Sequence, residues 1–154
     1  MTELDTKAVI AALNKILEAE LSGVVKYTHY SLMVFGYNRI PIVSWLREQA
    51  NESLTHAQQA GELITHFGGH PSLGIGKLLE SHNHDIGDIL RESLAHEQAA
   101  LLSYRELLAV VEGKSVMLEE YARGLILQEE MHLGEVDKML RKPGSTEVFG
   151  HTDV

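Results

Sequence analysis

Ile126-Leu127-Gln128-Glu129-Glu130-Met131-His132-Leu133 is the stretch of the chain on which the fold interpretation depends. It places a carboxylate and an imidazole three residues apart in a segment free of glycine and proline. Residues three apart share one face of a helix, so Glu129 and His132 can reach a single metal ion if the segment is helical. A Glu and a His at this spacing are also common on solvated helices. The pair therefore needs support from the rest of the chain.

Composition limits the chemistry that the chain can perform. Its 154 residues are enough for one domain with a single buried core. The sequence has no cysteine, which excludes disulfides, zinc–thiolate sites and thiol nucleophiles. Any metal must therefore be held by the nine histidines and 22 acidic residues. Oxygen and nitrogen ligands of this kind favour iron, manganese or zinc.

Charge and hydropathy narrow the choice of partners. The net charge is −9 and no basic run occurs, so no nucleic-acid partner is expected. No apolar run approaches the roughly 18 residues of a membrane span. The start, Met1-Thr2-Glu3-Leu4-Asp5, lacks the charged and apolar regions of a signal peptide. We expect a cytoplasmic protein with no membrane partner.

Hydrophobic periodicity predicts four helices, over residues 5–36, 41–67, 83–112 and 116–141. Short turns join the first to the second and the third to the fourth, whereas residues 72–81 form a long irregular connection. A short turn makes neighbouring helices antiparallel, and a long crossover allows the second pair to be placed differently. The predicted fold is an all-α, four-helix bundle over residues 1–142, with residues 143–154 as a tail or short helix.

Two carboxylates interrupt the apolar stripes of the first and third helices. Glu20 and Glu97 each stand where an apolar residue is expected, and a lone buried carboxylate costs several kcal/mol unless it is paired or ligating. Each is followed seven residues later by a tyrosine, Tyr27 or Tyr104. Such a tyrosine lies on the same inward face as its glutamate, where a carboxylate of a facing helix can accept a hydrogen bond from its hydroxyl group.

A histidine completes each half of an internal repeat. His56 follows Glu20 by 36 residues, and His132 follows Glu97 by 35. Bundle sites for two metal ions use a Glu from each of two helices and a Glu-x-x-His from each of the other two. Five of these six places are filled here, by Glu20, His56, Glu97, Glu129 and His132.

Local motifs along the chain resemble those of a bacterioferritin over about residues 4–142. They are Leu13-Asn14-Lys15, Glu20-Leu21 with Tyr27 and His29, His56-Ala57, Gly76-Lys77-Leu78 and Glu129-Glu130-x-His132.

The resemblance implies a ferritin-like four-helix subunit that assembles into a homo-oligomeric cage of 24 subunits. It also implies a ferroxidase, in which a di-iron centre within each subunit oxidises Fe²⁺ with O₂ or peroxide for storage as a ferric mineral. Carried over by position, Glu20 and His56 would bind one iron and Glu97 and His132 the other. Glu129 would bridge both, and these five residues would be the catalytic and metal-binding set.

Two positions depart from the family pattern. The second bridging carboxylate should lie three residues before His56, where this chain has Ser53. The neighbouring Glu52 is rotated by about 100° on a helix, so it could ligate only after a local distortion. The haem-binding methionine is replaced by Leu54, so no haem is expected.

Three functions remain open on the sequence alone. The first is a ferroxidase and iron-storage cage. The second is a non-storage di-metal oxidoreductase, using iron or manganese, of the ferritin-like superfamily. The third is an accessory cage subunit of reduced activity that co-assembles with a second, complete bacterioferritin subunit.

Overall fold

The computed structural model describes residues 3–78 and 81–149, and these form four α-helices. The helices are α1 (Thr6–Met33), α2 (Arg39–His66), α3 (Ile86–Val111) and α4 (Val116–Leu140). The predicted all-α architecture is confirmed. None of the helices in the described ranges is long and apolar enough to cross a membrane.

Side-chain caps explain where three of the helices begin. Asp5 accepts a hydrogen bond from the backbone N–H of Ala8 (3.1 Å), and Ser115 accepts one from Leu118 (3.3 Å). Asp85 accepts one from Gly87 (3.1 Å), so α3 begins later than the predicted residue 83. Helix α2 begins at Arg39, earlier than the predicted residue 41. Pro41 then lies in the first turn, where backbone N–H groups have no partner within the helix, so the N–H that proline lacks costs no hydrogen bond.

The helices pack as two antiparallel pairs linked through α1 and α3. Helix α1 packs against both α2 and α3, and α3 packs against α4. Within the described residues, no Cα of α2 lies within 8 Å of a Cα of α4. Side chains rather than close backbones therefore fill the space between α2 and α4.

The long crossover between α2 and α3 lies against α1. The N–H of Gly76 donates a hydrogen bond to the carbonyl of Glu18 (2.8 Å). A Cβ at Gly76 would lie 3.2 Å from that carbonyl oxygen and 3.4 Å from the Cα of Ala19. The absence of a side chain at Gly76 thus allows the crossover to touch the helix backbone.

Two apolar clusters divide the bundle along its length. The larger one is built from residues of all four helices, and the smaller from α1, α2 and the start of α3. Their largest fully buried members are Tyr104, Leu13, Ile16, Ile64, Leu107 and Leu118 in the first, and Tyr27, Tyr30, Leu46 and Ile89 in the second. Buried Glu20, Glu97 and Glu129 belong to neither cluster.

The described part of the C-terminal tail, residues 142–149, contains a turn and no helix. Its Phe149 N–H donates to Asp137 on α4 at 3.3 Å. Residues 150–154 of the predicted tail lie outside the described residues.

Gly76→Ala is expected to destabilise the protein by about 1–3 kcal/mol, because the new methyl group presses on α1 backbone that cannot move aside. Gly74→Ala is the matched control in the same segment, since its Cβ would meet side-chain atoms that can move aside, the Glu18 carboxylate and the Ser72 hydroxyl, rather than helix backbone. Chemical denaturation of both variants measures the difference. Equal stability of the two would contradict the proposed docking at Gly76.

Candidate metal centre

Helices α1 and α2 bring the first half of the site together. Oε1 of Glu20 lies 3.7 Å from Nδ1 of His56, and both side chains are more than nine-tenths buried. Burial is the largest influence on the pKa of Glu20 and raises it, although His56 and the Tyr104 hydroxyl act in the opposite direction. A carboxylate held here therefore gains from any positive charge placed beside it.

Helices α3 and α4 form the second half in the same way. Oε1 of Glu97 lies 3.8 Å from Nε2 of His132. The Tyr27 hydroxyl also lies 3.5 Å from that nitrogen. The repeat seen in the sequence is thus reproduced as two carboxylate–imidazole pairs that face each other across the bundle.

Each tyrosine donates a hydrogen bond to the glutamate carboxylate of the opposite half of the site. Tyr27 of α1 donates to Glu97 on α3 at 2.5 Å, and Tyr104 of α3 donates to Glu20 on α1 at 2.9 Å. The expectation that a facing helix supplies the hydroxyl's partner is confirmed. Because the bonds cross between the two halves, the position of each carboxylate depends on both α1 and α3.

Glu129 lies between the two halves, and its carboxyl is strongly perturbed. Burial, a hydrogen bond with Glu97 and the nearby carboxylates raise its pKa to about 12. For Glu97, burial acts upward, but the bond from Glu129 and the adjacent imidazoles hold its pKa below the ordinary value. Within this pair Glu129 therefore favours the protonated form and Glu97 the ionised form.

One oxygen of Glu129 is available as a metal ligand. Oε2 is buried and has no hydrogen-bond partner among the described residues. Glu20, His56 and Glu129 each offer one ligand atom, and these atoms all lie within 4.8 Å of one another. A buried oxygen acceptor beside an imidazole and a second carboxylate suits a divalent cation.

A contact between His56 and Gln128 indicates which ring nitrogen of His56 faces the metal centre. Nε2 of His56 lies 3.2 Å from Oε1 of Gln128, an amide oxygen that can only accept a hydrogen bond, so Nε2 donates to it. Nδ1 lies 3.7 Å from Oε1 of Glu20, and in the neutral imidazole its lone pair is available to a metal ion beside Glu20. Burial acts to lower the pKa of His56, but Glu20, Glu52 and Gln128 together raise it.

The position of Glu52 bears on the missing bridging carboxylate. Its Oε1 lies 3.8 Å from Nε2 of His56, and its side chain is about half exposed. Glu52 therefore faces the far side of the imidazole in this structure. Ser53 is buried and lines the small space of the site with His56, Glu97, Glu129 and His132.

Three contacts at the site were not anticipated from the sequence. Gln128 binds His56, and the Trp45 indole stacks on the His132 ring with planes 5° apart and centroids 5.9 Å apart. His96 is buried with its ring centroid 6.2 Å from that of Tyr27. The contact of Gln128 with His56 could have been suspected from the sequence, because Gln128 directly precedes Glu129. The contact of Trp45 with His132 could not, because it depends on how α2 packs near α4.

Comparison with known proteins gives a family match over most of the chain. The family described as "Ferritin-like domain" matches residues 10–144. No curated protein sequence matches significantly.

Solved structures with the same architecture include three of clear relevance. A ferritin-like di-iron-carboxylate protein of Bacillus anthracis has a TM-score of 0.80 at 24% identity, covering 92% of this chain and 100% of that one. The dodecameric thioferritin of Bacteroides fragilis, a bacterioferritin-related protein, has 0.77 at 27%, covering 90% and 87%. The bacterioferritin of Rhodobacter capsulatus, solved with a metal-free dinuclear site and haem iron, has 0.79 at 25%, covering 90% and 86%.

Glu129→Gln is expected to stabilise the metal-free protein, by about 1–3 kcal/mol near pH 8, because an amide carries no titrating proton and keeps the shape. Glu129 has a raised pKa in the folded state, so its contribution is most favourable below its ordinary pKa of 4.5 and is lost as pH rises. The gain from the variant should therefore grow between pH 5 and pH 8, by at most about 1.4 kcal/mol per pH unit.

Urea denaturation of chelator-treated protein at several pH values provides the measurement. Glu130→Gln is the matched control, because Glu130 is half exposed and pairs with Arg105 on the surface. Its effect should stay within about 0.5 kcal/mol at every pH. A Glu129→Gln gain that is flat with pH would mean that Glu129 is ionised in the folded metal-free protein.

Proposed function

The chain belongs to the ferritin-like domain family, and on that basis we propose that it oxidises Fe²⁺ at a di-iron centre within each subunit and stores the ferric product in an oligomeric cage. The observation that carries this proposal is the buried carboxylate–imidazole cluster. Oε2 of Glu129, which has no hydrogen-bond partner, lies within it between two Glu–His pairs. The proposed location is the cytoplasm.

The proposed ligand set follows the two halves of the cluster. Glu20 and His56, through Nδ1, would hold one Fe²⁺, and Glu97 and His132 would hold the other. Glu129 would supply a ligand oxygen to the shared centre, and the positive charge would favour its ionised form. Tyr27 and Tyr104 keep the carboxylates oriented, because each hydroxyl occupies one lone pair and leaves the others for the metal.

The proposed reaction needs two electrons from each pair of substrate ions. Two Fe²⁺ ions become Fe³⁺, and O₂ takes up the two electrons and two protons to give hydrogen peroxide. Holding both ions in one buried site lets the two electrons be delivered together. The apolar clusters on either side exclude water from the chemistry.

Assembly into a homo-oligomeric cage is part of the proposal. Large apolar side chains on the surface of the single chain, such as Phe35, Tyr37 and Ile40, are 72%, 107% and 84% exposed and suit burial between subunits. The resemblance to bacterioferritin favours 24 subunits, whereas the Bacteroides fragilis relative is described as dodecameric.

Ser53 favours a second candidate function. With one bridging carboxylate fewer, the chain could serve as an accessory subunit of a mixed cage or as a non-storage di-metal oxidoreductase. Size-exclusion chromatography with light scattering, followed by iron loading of the isolated homomer, separates the candidates. A storage ferroxidase forms a cage that turns over and retains many Fe³⁺ per subunit. An assembly that retains no mineral would overturn the storage proposal.

Ser53→Glu is expected to tighten binding of the second Fe²⁺ and to raise the oxidation rate, because two cations gain a further negative charge between them. The same change should destabilise the metal-free protein by crowding carboxylates in a buried site. Ser53→Gln is the control of equal size without charge. Anaerobic Fe²⁺ titration and stopped-flow absorbance after O₂ addition test the prediction, and two tight equivalents in the wild type with no faster variant would refute it.

The purified protein is expected to lack haem. Leu54, which replaces the family's haem-binding methionine, is 42% exposed on α2 and offers no thioether ligand. An absorption spectrum after incubation with haemin and desalting gives the measurement, with Leu54→Met as the variant that restores the ligand. A near-stoichiometric Soret band in the wild type would contradict this expectation.

A further inference from the structure

A cavity of about 380 Å³ lies on the side of the bundle formed by α1 and α3, under the crossover. Its walls include Ala19, Ser22, Ala99, Ala100 and Leu102, and its inner part is lined by His96. None of these residues belongs to the proposed ligand set. We refer to this space as the α1–α3 cavity.

Gly23 lies beside one residue of the cavity and one residue of the metal centre. A Cβ at Gly23 would lie 2.8 Å from Oγ of Ser53 on α2 and 3.1 Å from Nε2 of His96 on α3. His96 lines the cavity, whereas Ser53 lines the space among the site carboxylates and imidazoles. These two neighbouring side chains therefore lie between the cavity and the centre, and we call them the Ser53–His96 wall.

Ser53 keeps this wall thin. The resemblance places a longer carboxylate at this position, and that side chain would occupy the space into which Ser53 reaches. The three helices approach closely here because Gly23 has no side chain.

The chemistry of the cavity suits an uncharged molecule better than Fe²⁺. Its walls are largely methyl and methylene groups, with serine hydroxyls that already donate to α1 and α3 carbonyls at 2.6 and 3.2 Å. The charged lining groups are Lys15, Lys77 and Glu18, so the opening carries no net negative charge. The half-exposed carboxylate of Glu52, by contrast, lies on the α2–α4 side next to His56.

We propose that the α1–α3 cavity is the approach site for a small uncharged oxidant, O₂ or hydrogen peroxide, which passes the Ser53–His96 wall while Fe²⁺ enters from the α2–α4 side. This inference rests on the proposed ferroxidase function. It assigns the two substrates to opposite faces of the bundle, so loading of one does not block the other.

Ala99→Trp tests the proposal by filling the cavity from an exposed position on α3. Ala95→Trp is the matched control, one turn earlier on the same helix, exposed and outside the cavity lining. The intact assembly is loaded anaerobically with Fe²⁺, and oxidation is followed by stopped flow at several concentrations of O₂ and, separately, of hydrogen peroxide. Leu102→Trp, also at an exposed lining position, is a second filling variant.

The filling variants should lower the apparent second-order rate constant for the oxidant by about fivefold or more, and the control by less than about twofold. Anaerobic Fe²⁺ stoichiometry should be unchanged, which a disturbed metal site would not allow. Loss in only the O₂ series or only the peroxide series identifies the molecule that uses the cavity. Crystals of the wild type under xenon should show the gas in the cavity, and crystals of Ala99→Trp should not.

Two results would count against the inference in different ways. If the wild type oxidises Fe²⁺ and both filling variants show the same dependence on oxidant concentration, the oxidant reaches the centre elsewhere and only the route is wrong. If the wild type binds Fe²⁺ but oxidises it with neither oxidant, the proposed function fails and the route fails with it.

Discussion

The structure depends on the burial of three carboxylates, Glu20, Glu97 and Glu129, in the middle of a four-helix bundle. Such groups strongly favour a proton or a cation, because ionised oxygens lose their water in the interior and repel one another. In the metal-free protein the raised pKa of Glu129 expresses this preference for a proton. The buried carboxylates that destabilise the metal-free protein therefore favour metal binding, so stability and proposed function are linked.

The residues around the carboxylates determine what the cluster can do. Tyrosine hydroxyls cross between the halves, and Gln128 fixes the protonated nitrogen of His56. Trp45 packs flat against His132. These contacts use side chains from all four helices, so the ligand geometry forms only when the whole bundle has assembled. A preorganised set of this kind needs little rearrangement when ions bind.

Ser53 makes the two sides of the centre unequal. A shorter side chain here removes one negative charge, and it also thins the packing between the centre and the α1–α3 cavity. Glu52 does not fill the vacant role in this structure, because it lies against the far nitrogen of His56. The substitution thus couples the electrostatics of metal binding to access from the opposite face.

The sequence alone determined the four helices, their pairing and the residue types of the candidate site. Those features follow from 3.6-residue periodicity, from capping side chains such as Asp5 and Ser115, and from the cost of a carboxylate in an apolar stripe. The exact starts of α2 and α3 were wrong by a few residues, because a cap or a first-turn proline can be used at more than one position. Only the tertiary structure decided that Glu52 lies beside Nε2 of His56, that Trp45 stacks on His132 and that His96 is buried beside Gly23. These contacts depend on the rotation and spacing of packed helices, which are set by side chains distant in the chain.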